Sequence, residues 1–384
     1  MAFEFLPNGD EKILLGLQKD CDANDEATWN VSFELQEGNP LVTVVSLNVE
    51  LDPQNFSKAQ ETVDAGQLDD SQLGASMRIK SYGFRFLIFL LSWACRPMDA
   101  QSRVHQLARD VYYWAGDLSK REQTNVGFVV FRDYVLVIDA NFPWAAEHIL
   151  ADIKTVTSKP VRFVFNTHYH ADHTMGNSVF IAHGAAVVST EDLALELGTK
   201  GMEDIWEQTK MKMDHLELPS IRFPDRLVLD DGQHRVELIK YGQAHTKGDG
   251  VAYLPAEGVV FVGDLAVNWT HGNNVSDQDV RYIGWIRALD KIAQLPVKTV
   301  VPAHGELGDV DLLRRQRDFI ADMWNQVKQG LKAGKSPAEL KKTLQFTEHG
   351  IFARDARETE DMIQSMCERA QTQPDWNPGP GDPK

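Results

Sequence analysis

The run Asn166-Thr167-His168-Tyr169-His170-Ala171-Asp172-His173, set directly after the apolar stretch Val161–Phe165, constrains this chain more than any other feature. Val161–Phe165 reads as a buried strand, and four side chains able to bind a metal follow it within six residues. Loops at strand ends present side chains into a shared cleft. His168 and His170 are two residues apart, so an extended backbone aims both imidazoles the same way. A turn at Ala171 then redirects Asp172 and His173 to a neighbouring point. A single metal site uses three or four protein ligands, so this crowding suits two ions a few ångströms apart. Thiolates are excluded from any such site: the chain has three cysteines, Cys21, Cys95 and Cys367, with no CxxC pair and no disulfide framework.

The chain around this run alternates strands and helices. Val126–Phe131 and Val135–Ile138 read as paired strands about the turn Arg132-Asp133. Helices are expected over Trp144–Thr157, from about Thr190 to Leu216 and over about Val280–Gln294. Strands are expected at Val187–Ser189, Val236–Tyr241, Val251–Leu254, Val259–Val262 and Thr299–Val301. Interleaved elements of this kind give a layered α/β class. Beyond His304 the pattern is helical: Asp311–Gly334, then a second helix in which Ser336 caps and Pro337 takes the first position. The tail Pro374–Lys384, rich in Pro and Gly, is expected to lack regular structure.

Three further motifs follow in order: Gly242-Gln243-Ala244-His245-Thr246-Lys247-Gly248-Asp249, Phe261-Val262-Gly263-Asp264 and Val301-Pro302-Ala303-His304-Gly305. Together with HxHxDH they resemble the signature of the metallo-β-lactamase superfamily, from roughly Val111 to Gly305. The resemblance implies a four-layer αββα sandwich, here with C-terminal helices, and a dinuclear site at one edge. On that pattern His168, His170 and His245 hold one metal, Asp172, His173 and His304 hold the other, and Asp264 bridges both. Imidazoles and carboxylates suit zinc, two ions per chain, although iron or manganese fits the same donors. Thr167, Thr246 and Asp249 are candidates for orienting the ligands. Gly263 and Gly305 flank ligands where a tight turn or close backbone approach favours the absence of a Cβ. His271, in the loop seven residues past Asp264, is a candidate catalytic residue together with Asp172, the alternative being a solvated loop histidine. His183 reads as structural. His105, His148, His215, His234 and His349 have no supporting neighbours in sequence.

Two ions would lower the pKa of a shared water toward neutrality and supply a hydroxide nucleophile, so no protein nucleophile is needed. Fold alone does not fix the substrate. Aspartate rather than cysteine at position 264 resembles the glyoxalase II side of the superfamily. Val267 stands where the commonest zinc β-lactamases carry a lysine. No basic cluster resembling a glutathione site is evident, since Arg314, Arg315 and Arg317 read as a solvated helix face. The expected activity is hydrolysis of a small-molecule ester, thioester or lactone-type bond. The alternatives are β-lactamase-type amide hydrolysis, a mononuclear iron persulfide dioxygenase using residues like His168, His245 and Asp264, and a non-catalytic metal-binding protein. A formal net charge of −17 disfavours nucleic acid and anionic membranes as partners.

Charge also divides the chain. Residues 1–76 hold fifteen acidic residues against Lys12, Lys19 and Lys58, so most of the negative charge lies in an acidic N-terminal extension. Within it, Trp29–Leu35 and Leu41–Leu51 read as a hairpin about Gly38-Asn39-Pro40. Residues 77–101 follow, with Met77, then Arg78, Lys80 and Arg85, then the apolar run Phe86–Cys95, ending near Ala100. This is the three-part layout of a secretory signal peptide, with no stable membrane insertion after cleavage and a periplasmic or secreted product. The apolar run is too short to span a bilayer, which needs about twenty residues. The competing reading is a buried core helix in a cytoplasmic protein, and a lipoprotein box is opposed by bulky Trp93. A catalytic domain over 101–310 and a helical region over 311–373 complete the division; oligomeric state is not legible.

Overall fold

The computed structural model describes residues 103–268, 275–276, 279–344 and 356–373, and in the N-terminal part the backbone of four strands. The segment 77–101, His271, His349 and the tail 374–384 lie outside the described residues. The chain divides into two compact units, residues 1–100 and 101–384.

In the first unit β1 (Ala2–Phe5), β2 (Lys12–Cys21), β3 (Ala27–Gln36) and β4 (Thr43–Val49) form an antiparallel sheet in sequence order. The expected hairpin is β3–β4, in a register that opposes Trp29 to Val49 and Leu35 to Thr43.

The second unit holds two sheets. The larger has seven strands: β5 (Val104–Ala108), β6 (Val111–Trp114), β7 (Val126–Val130), β8 (Val135–Ile138), β9 (Val161–Phe165), β10 (Ala186–Thr190) and β11 (Ile221–Phe223). Strands β5 to β8 run antiparallel, and β8 to β11 run parallel. The smaller sheet is β12 (Arg226–Asp230), β13 (Arg235–Lys240), β14 (Gly250–Leu254), β15 (Val259–Gly263) and β16 (Thr299–Pro302). All its pairs are antiparallel except β15–β16. Strands β7, β8, β14 and β15 are buried along their whole length, which is why they read as continuous apolar runs.

Three apolar clusters define four layers. Val129, Leu136, Ile138 and Phe165 of the larger sheet meet Val236, Leu238, Ala252 and Phe261 of the smaller one between the sheets. On the outer face of the larger sheet, Phe128, Val137 and Val164 pack on Ala146, Ile149 and Ile153 of α1 (Pro143–Val156). Outside the smaller sheet, Val251, Val260 and Val300 are covered by α5 (Tyr282–Ile292), α6 (Val310–Lys332), α7 (Pro337–Thr343) and α8 (Ala356–Arg369). The αββα sandwich is therefore present, with its C-terminal helices. Ser336 caps α7 in a full capping box with Glu339, a local signal read correctly from sequence.

Two expectations change. The helix expected from Thr190 to Leu216 is α4 (Glu191–Thr209), which stops at Lys210 in the left-handed conformation (φ 61°). Met213 and Leu216 are drawn off the helix axis to pack beside Phe142, Met175 and Ile205. Arg317 does not lie on a solvated face. It is buried and ion-paired with Asp290 and Asp318.

Candidate metal centre

Strands β13, β15 and β16 all run in one direction, because β13 and β15 each oppose β14 and β16 is parallel to β15. Their C-terminal ends therefore share one edge of the sandwich, and each delivers a ligand candidate just past its end: His245, Asp264 and His304. From the other sheet, β9 ends at Phe165, the chain bends through Thr167–Tyr169, and His170, itself extended, leads into α2 (Ala171–Thr174). That short helix is the turn expected at Ala171, and it redirects Asp172 and His173. The next helix, α3 (Asn177–Ala182), is tied back when Asn177 and Asn166 exchange side-chain hydrogen bonds.

All seven sequence-expected ligands come together. His168, His170, His245 and Asp264 form one cluster, and Asp172, His173 and His304 form another, with the facing atoms of each cluster within 4.8 Å of one another. In the first, His170 Nδ1 lies 2.9 Å from His168 Nε2 and 3.3 Å from His245 Nε2. Asp264 Oδ2 is 3.8 Å from His168 Nε2 and 3.7 Å from His245 Nε2. The other oxygen, Oδ1, faces the second cluster, 3.3 Å from His173 Nε2 and 3.2 Å from His304 Nε2. Asp172 Oδ2 closes that cluster at 3.3 Å from His304 Nε2 and 3.7 Å from His173 Nε2. Metal–nitrogen bonds of about 2.0–2.1 Å at tetrahedral angles separate neighbouring ligand atoms by about 3.3 Å. The observed spacings scatter about that value, and the donors are imidazole nitrogens and carboxylate oxygens alone, so the residues fit metal ions.

Electrostatics differ between the clusters. Burial, with His173 and His170 close by, holds His168 well below its usual 6.5. Burial acts against the charged form of His304 too, but Asp264 and Asp172 outweigh it and raise His304 to about 9. His173 is likewise raised, against burial, by Asp139, Asp172 and Asp264. Burial would raise both aspartates. For Asp264 the charges of His304 and His173 win, and for Asp172 those of His173 and His304, so both are held below the usual carboxylate range.

Around the ligands stands a set of hydrogen bonds that fixes which nitrogen faces inward. Asp139, just past β8, lies 2.9 Å from His173 Nδ1 and accepts from the Thr167 amide at 2.8 Å and its hydroxyl at 2.9 Å. With Nδ1 so engaged, Nε2 of His173 is left for the cluster. His304 Nδ1 faces the Gln123 carbonyl at 3.2 Å, and Thr124 Oγ1 donates to Asp172 Oδ2 at 2.9 Å. Asn125 donates to the carbonyls of Pro302 and Gly305 on either side of His304. Asp249 accepts from the amides of Ala244 and Thr246 and from the Thr246 hydroxyl, organising the loop around His245. Burial pushes Asp249 up to about 8 despite these donors.

Thr167, Thr246 and Asp249 thus occupy the orienting positions expected of them. Asp139 and Thr124 were not legible, because each meets its partner across 34 or 48 residues of sequence. The acidic residue closing the buried strand β8 was the one available signal. Gly263 has φ 55°, and a Cβ there would lie 2.5 Å from Thr167 Oγ1, so the close approach of β15 to the β9 loop requires glycine. His183 is an exposed helix-end residue whose Nδ1 lies 2.9 Å from the Val179 carbonyl. His234 and His148 do have partners, Glu257 and Glu122, supplied from distant sequence.

Residues 119–304 match the family model of the metallo-beta-lactamase superfamily. A metallo-beta-lactamase type 2 of Bacteroides fragilis is 28% identical over 131 residues, 32% of this chain and 52% of that protein. A linear primary-alkylsulfatase of Pseudomonas sp. (strain ATCC 19151) is 20% identical over 241 residues, 52% of this chain and 46% of that protein. The chain thus spans about half the length of these curated relatives. Among solved structures, a metallo-beta-lactamase from Pontibacter korlensis aligns with a TM-score of 0.46 at 23% identity, covering 56% of this chain and 97% of that one.

Proposed function

Because this chain belongs to the metallo-beta-lactamase superfamily through residues 119–304, we propose that it is a dinuclear metallohydrolase, with zinc as its metal, acting on a small-molecule ester, thioester or lactone-type bond. The observation that carries the reading is Asp264, whose two oxygens face the two clusters separately. In this reading His168, His170 and His245 hold one ion, Asp172, His173 and His304 hold the second, and Asp264 spans both. Bound there, the ions supply Lewis acidity toward the scissile bond and lower the pKa of water. The protein's own part is to hold the ligands in a water-poor setting and to keep Asp172 ionised. Asp172 accepts from Thr124 and, held below the usual carboxylate range, serves as an acceptor rather than an acid. Val267 is buried, so no cation occupies the position three residues past Asp264.

The similarity to an alkylsulfatase by name supports the ester end of the substrate range. A second reading, β-lactam hydrolysis, has the metallo-beta-lactamase type 2 similarity in its favour and the buried Val267 against it. One experiment sorts these readings. Metal-loaded protein is analysed for metal and assayed on ester, thioester, lactone, alkyl sulfate and chromogenic cephalosporin substrates, with and without chelator. About two zinc per chain and chelator-sensitive ester-class turnover are expected. A single iron with no hydrolysis would overturn the proposal in favour of oxygenation, and cephalosporin as the preferred substrate would establish the second reading. The export reading of residues 77–101 is tested separately, by sequencing the N-terminus of protein recovered from a bacterial periplasm, expected near Gln101.

A further inference from the structure

Helix α4 carries Glu196, Lys200 and Asp204 at i, i+4 and i+8, a spacing that sets three side chains along one ridge. Each rung reaches a different part of the metal centre's surroundings. Glu196 is 2% exposed, and its Oε2 accepts from the amides of Lys247 and Gly248, both at 3.0 Å. These are the second and third residues past His245. Asp204 Oδ2 accepts at 2.6 Å from the amide of Ala171, the residue between His170 and Asp172. Between them, Lys200 Nζ lies 3.5 Å from Glu196 Oε1, pairs with Asp279 and stands 5.5 Å from the ring centre of Tyr169, which packs against His170.

The first turn of α4 adds a separate, steric constraint. A Cβ at Gly248 would lie 2.3 Å from the Leu193 amide nitrogen, and Thr190, which caps the helix, donates to the Gly248 carbonyl at 2.8 Å. The loop after His245 is therefore pressed on the helix backbone as well as bonded to its side chains. His170 belongs to the loop of one sheet and His245 to a loop of the other. A single rigid element spans the two, with its outer rungs about 12 Å apart along the axis.

We propose that Glu196 and Asp204 are positioning residues that fix His170 relative to His245, and so set the affinity and ligand geometry of the cluster formed by His168, His170, His245 and Asp264. The proposal rests on the metal-centre reading above. Outlying hydrogen bonds to a metal's ligands change affinity by about 10–100-fold when removed. Here the bonds end on peptide groups beside the ligands, so the lower end of that range is expected.

The test titrates cobalt(II) into the full-length, metal-free chain and follows its visible absorption, which reports coordination geometry independently of turnover. Glu196→Ala and Asp204→Ala should each weaken the tighter cobalt site by about tenfold and alter its spectrum. Glu196→Gln and Asp204→Asn keep an acceptor oxygen and should restore both. Ile149→Ala removes a buried apolar side chain from α1, on the outer face of the larger sheet, so it should lower the melting temperature while leaving the cobalt spectrum unchanged. Asp204→Ala, at a partly exposed position, carries the test should Glu196→Ala fail to fold. Alanine variants with wild-type affinity and spectrum would overturn the proposal, as would an Ile149→Ala variant whose spectrum shifts equally. Failure of the unaltered chain to bind cobalt would instead remove the metal centre and the brace with it.

Discussion

At the scale of single residues, a carboxylate shared between two clusters offsets the mutual repulsion of two cations and sets their separation. Asp264→Asn keeps the size and removes the charge. It should retain about one equivalent of metal, with the second much weakened, and turnover should fall by about a hundredfold or more. Metal analysis after gel filtration checks it, and two retained ions with an unchanged rate would show that Asp264 is no bridge. The neighbouring imidazoles predict a pH dependence. In the metal-free chain His304 titrates at about 9, so its proton must leave when metal enters. Affinity at the cluster of Asp172, His173 and His304 should therefore rise with pH until about 9, whereas His168, held below 6.5, is already neutral at pH 7. The sign is fixed by the direction of each shift. The raised pKa of His304 stabilises the metal-free fold below about 6.5, and that contribution is lost as pH climbs through 9. Cobalt titrations at pH 6.5 and 8.5 should show the site of Asp172, His173 and His304 tightening; an affinity there that falls as pH rises would contradict the assignment. All seven ligand candidates were legible because their motifs are local. Asp139 and Thr124, which hold those ligands, were not, because only folding brings them near.

At the scale of elements, the approach of β15 to the loop after β9 is a close joint beside the ligands. Gly263→Ala would place a Cβ 2.5 Å from Thr167 Oγ1 and force a non-glycine residue to φ 55°. Gly334 makes a clean comparison, with φ 82° and nothing within 4 Å of the added atom. Gly334→Ala should cost about 1–2 kcal/mol, the left-handed backbone penalty alone. Gly263→Ala adds the clash and should cost clearly more, while also weakening metal binding, since Thr167 hydrogen-bonds Asp139 and adjoins His168. Thermal unfolding of the two variants without metal measures the difference, and equal losses would mean that the joint yields easily. Glycine's role was anticipated at 263 from its place beside a ligand. The elements themselves were legible in proportion to their burial. Strands β7, β8, β9, β14 and β15 announce themselves as apolar runs. Strands β5, β11 and β12 went unseen because they are sheet edges that mix exposed with half-buried residues, and β6, next to an edge, because half-buried Tyr112 and Tyr113 interrupt its buried ends. The overrun of α4 has a tertiary cause: Met213 and Leu216 continue an apolar pattern that is satisfied by packing rather than by more helix.

At the scale of the whole 101–384 unit, the proposed ions sit where two sheets end. His168, His170, Asp172 and His173 come from the loop after β9 in the larger sheet, and His245, Asp264 and His304 from the smaller one. Between the sheets the middle of the joint is apolar, with Val129, Leu136 and Phe165 against Leu238, Ala252 and Phe261. Metal binding would therefore clamp one end of a sandwich whose middle is held by burial, and an ion that binds only the folded state stabilises it by mass action. At a free concentration of about a thousand times its dissociation constant, one ion contributes about 4 kcal/mol. For a unit somewhat larger than 150–250 residues, each kcal/mol moves the midpoint by at most about 2–4 °C, so chelation should lower it by up to about 8–16 °C for each ion removed. The loss should also be local. Amide exchange should quicken in the four ligand-bearing loops, at 166–174, 242–249, 264–268 and 302–305, while the inter-sheet amides of Val129 and Phe261 keep their protection relative to the lowered global stability. Calorimetry with and without chelator, combined with hydrogen exchange, measures both. A midpoint unmoved by chelation would mean that the ligand loops are held in place entirely by protein contacts such as Asp139, Asp249 and the α4 ridge, and that the clamp contributes nothing to the joining of the two sheets.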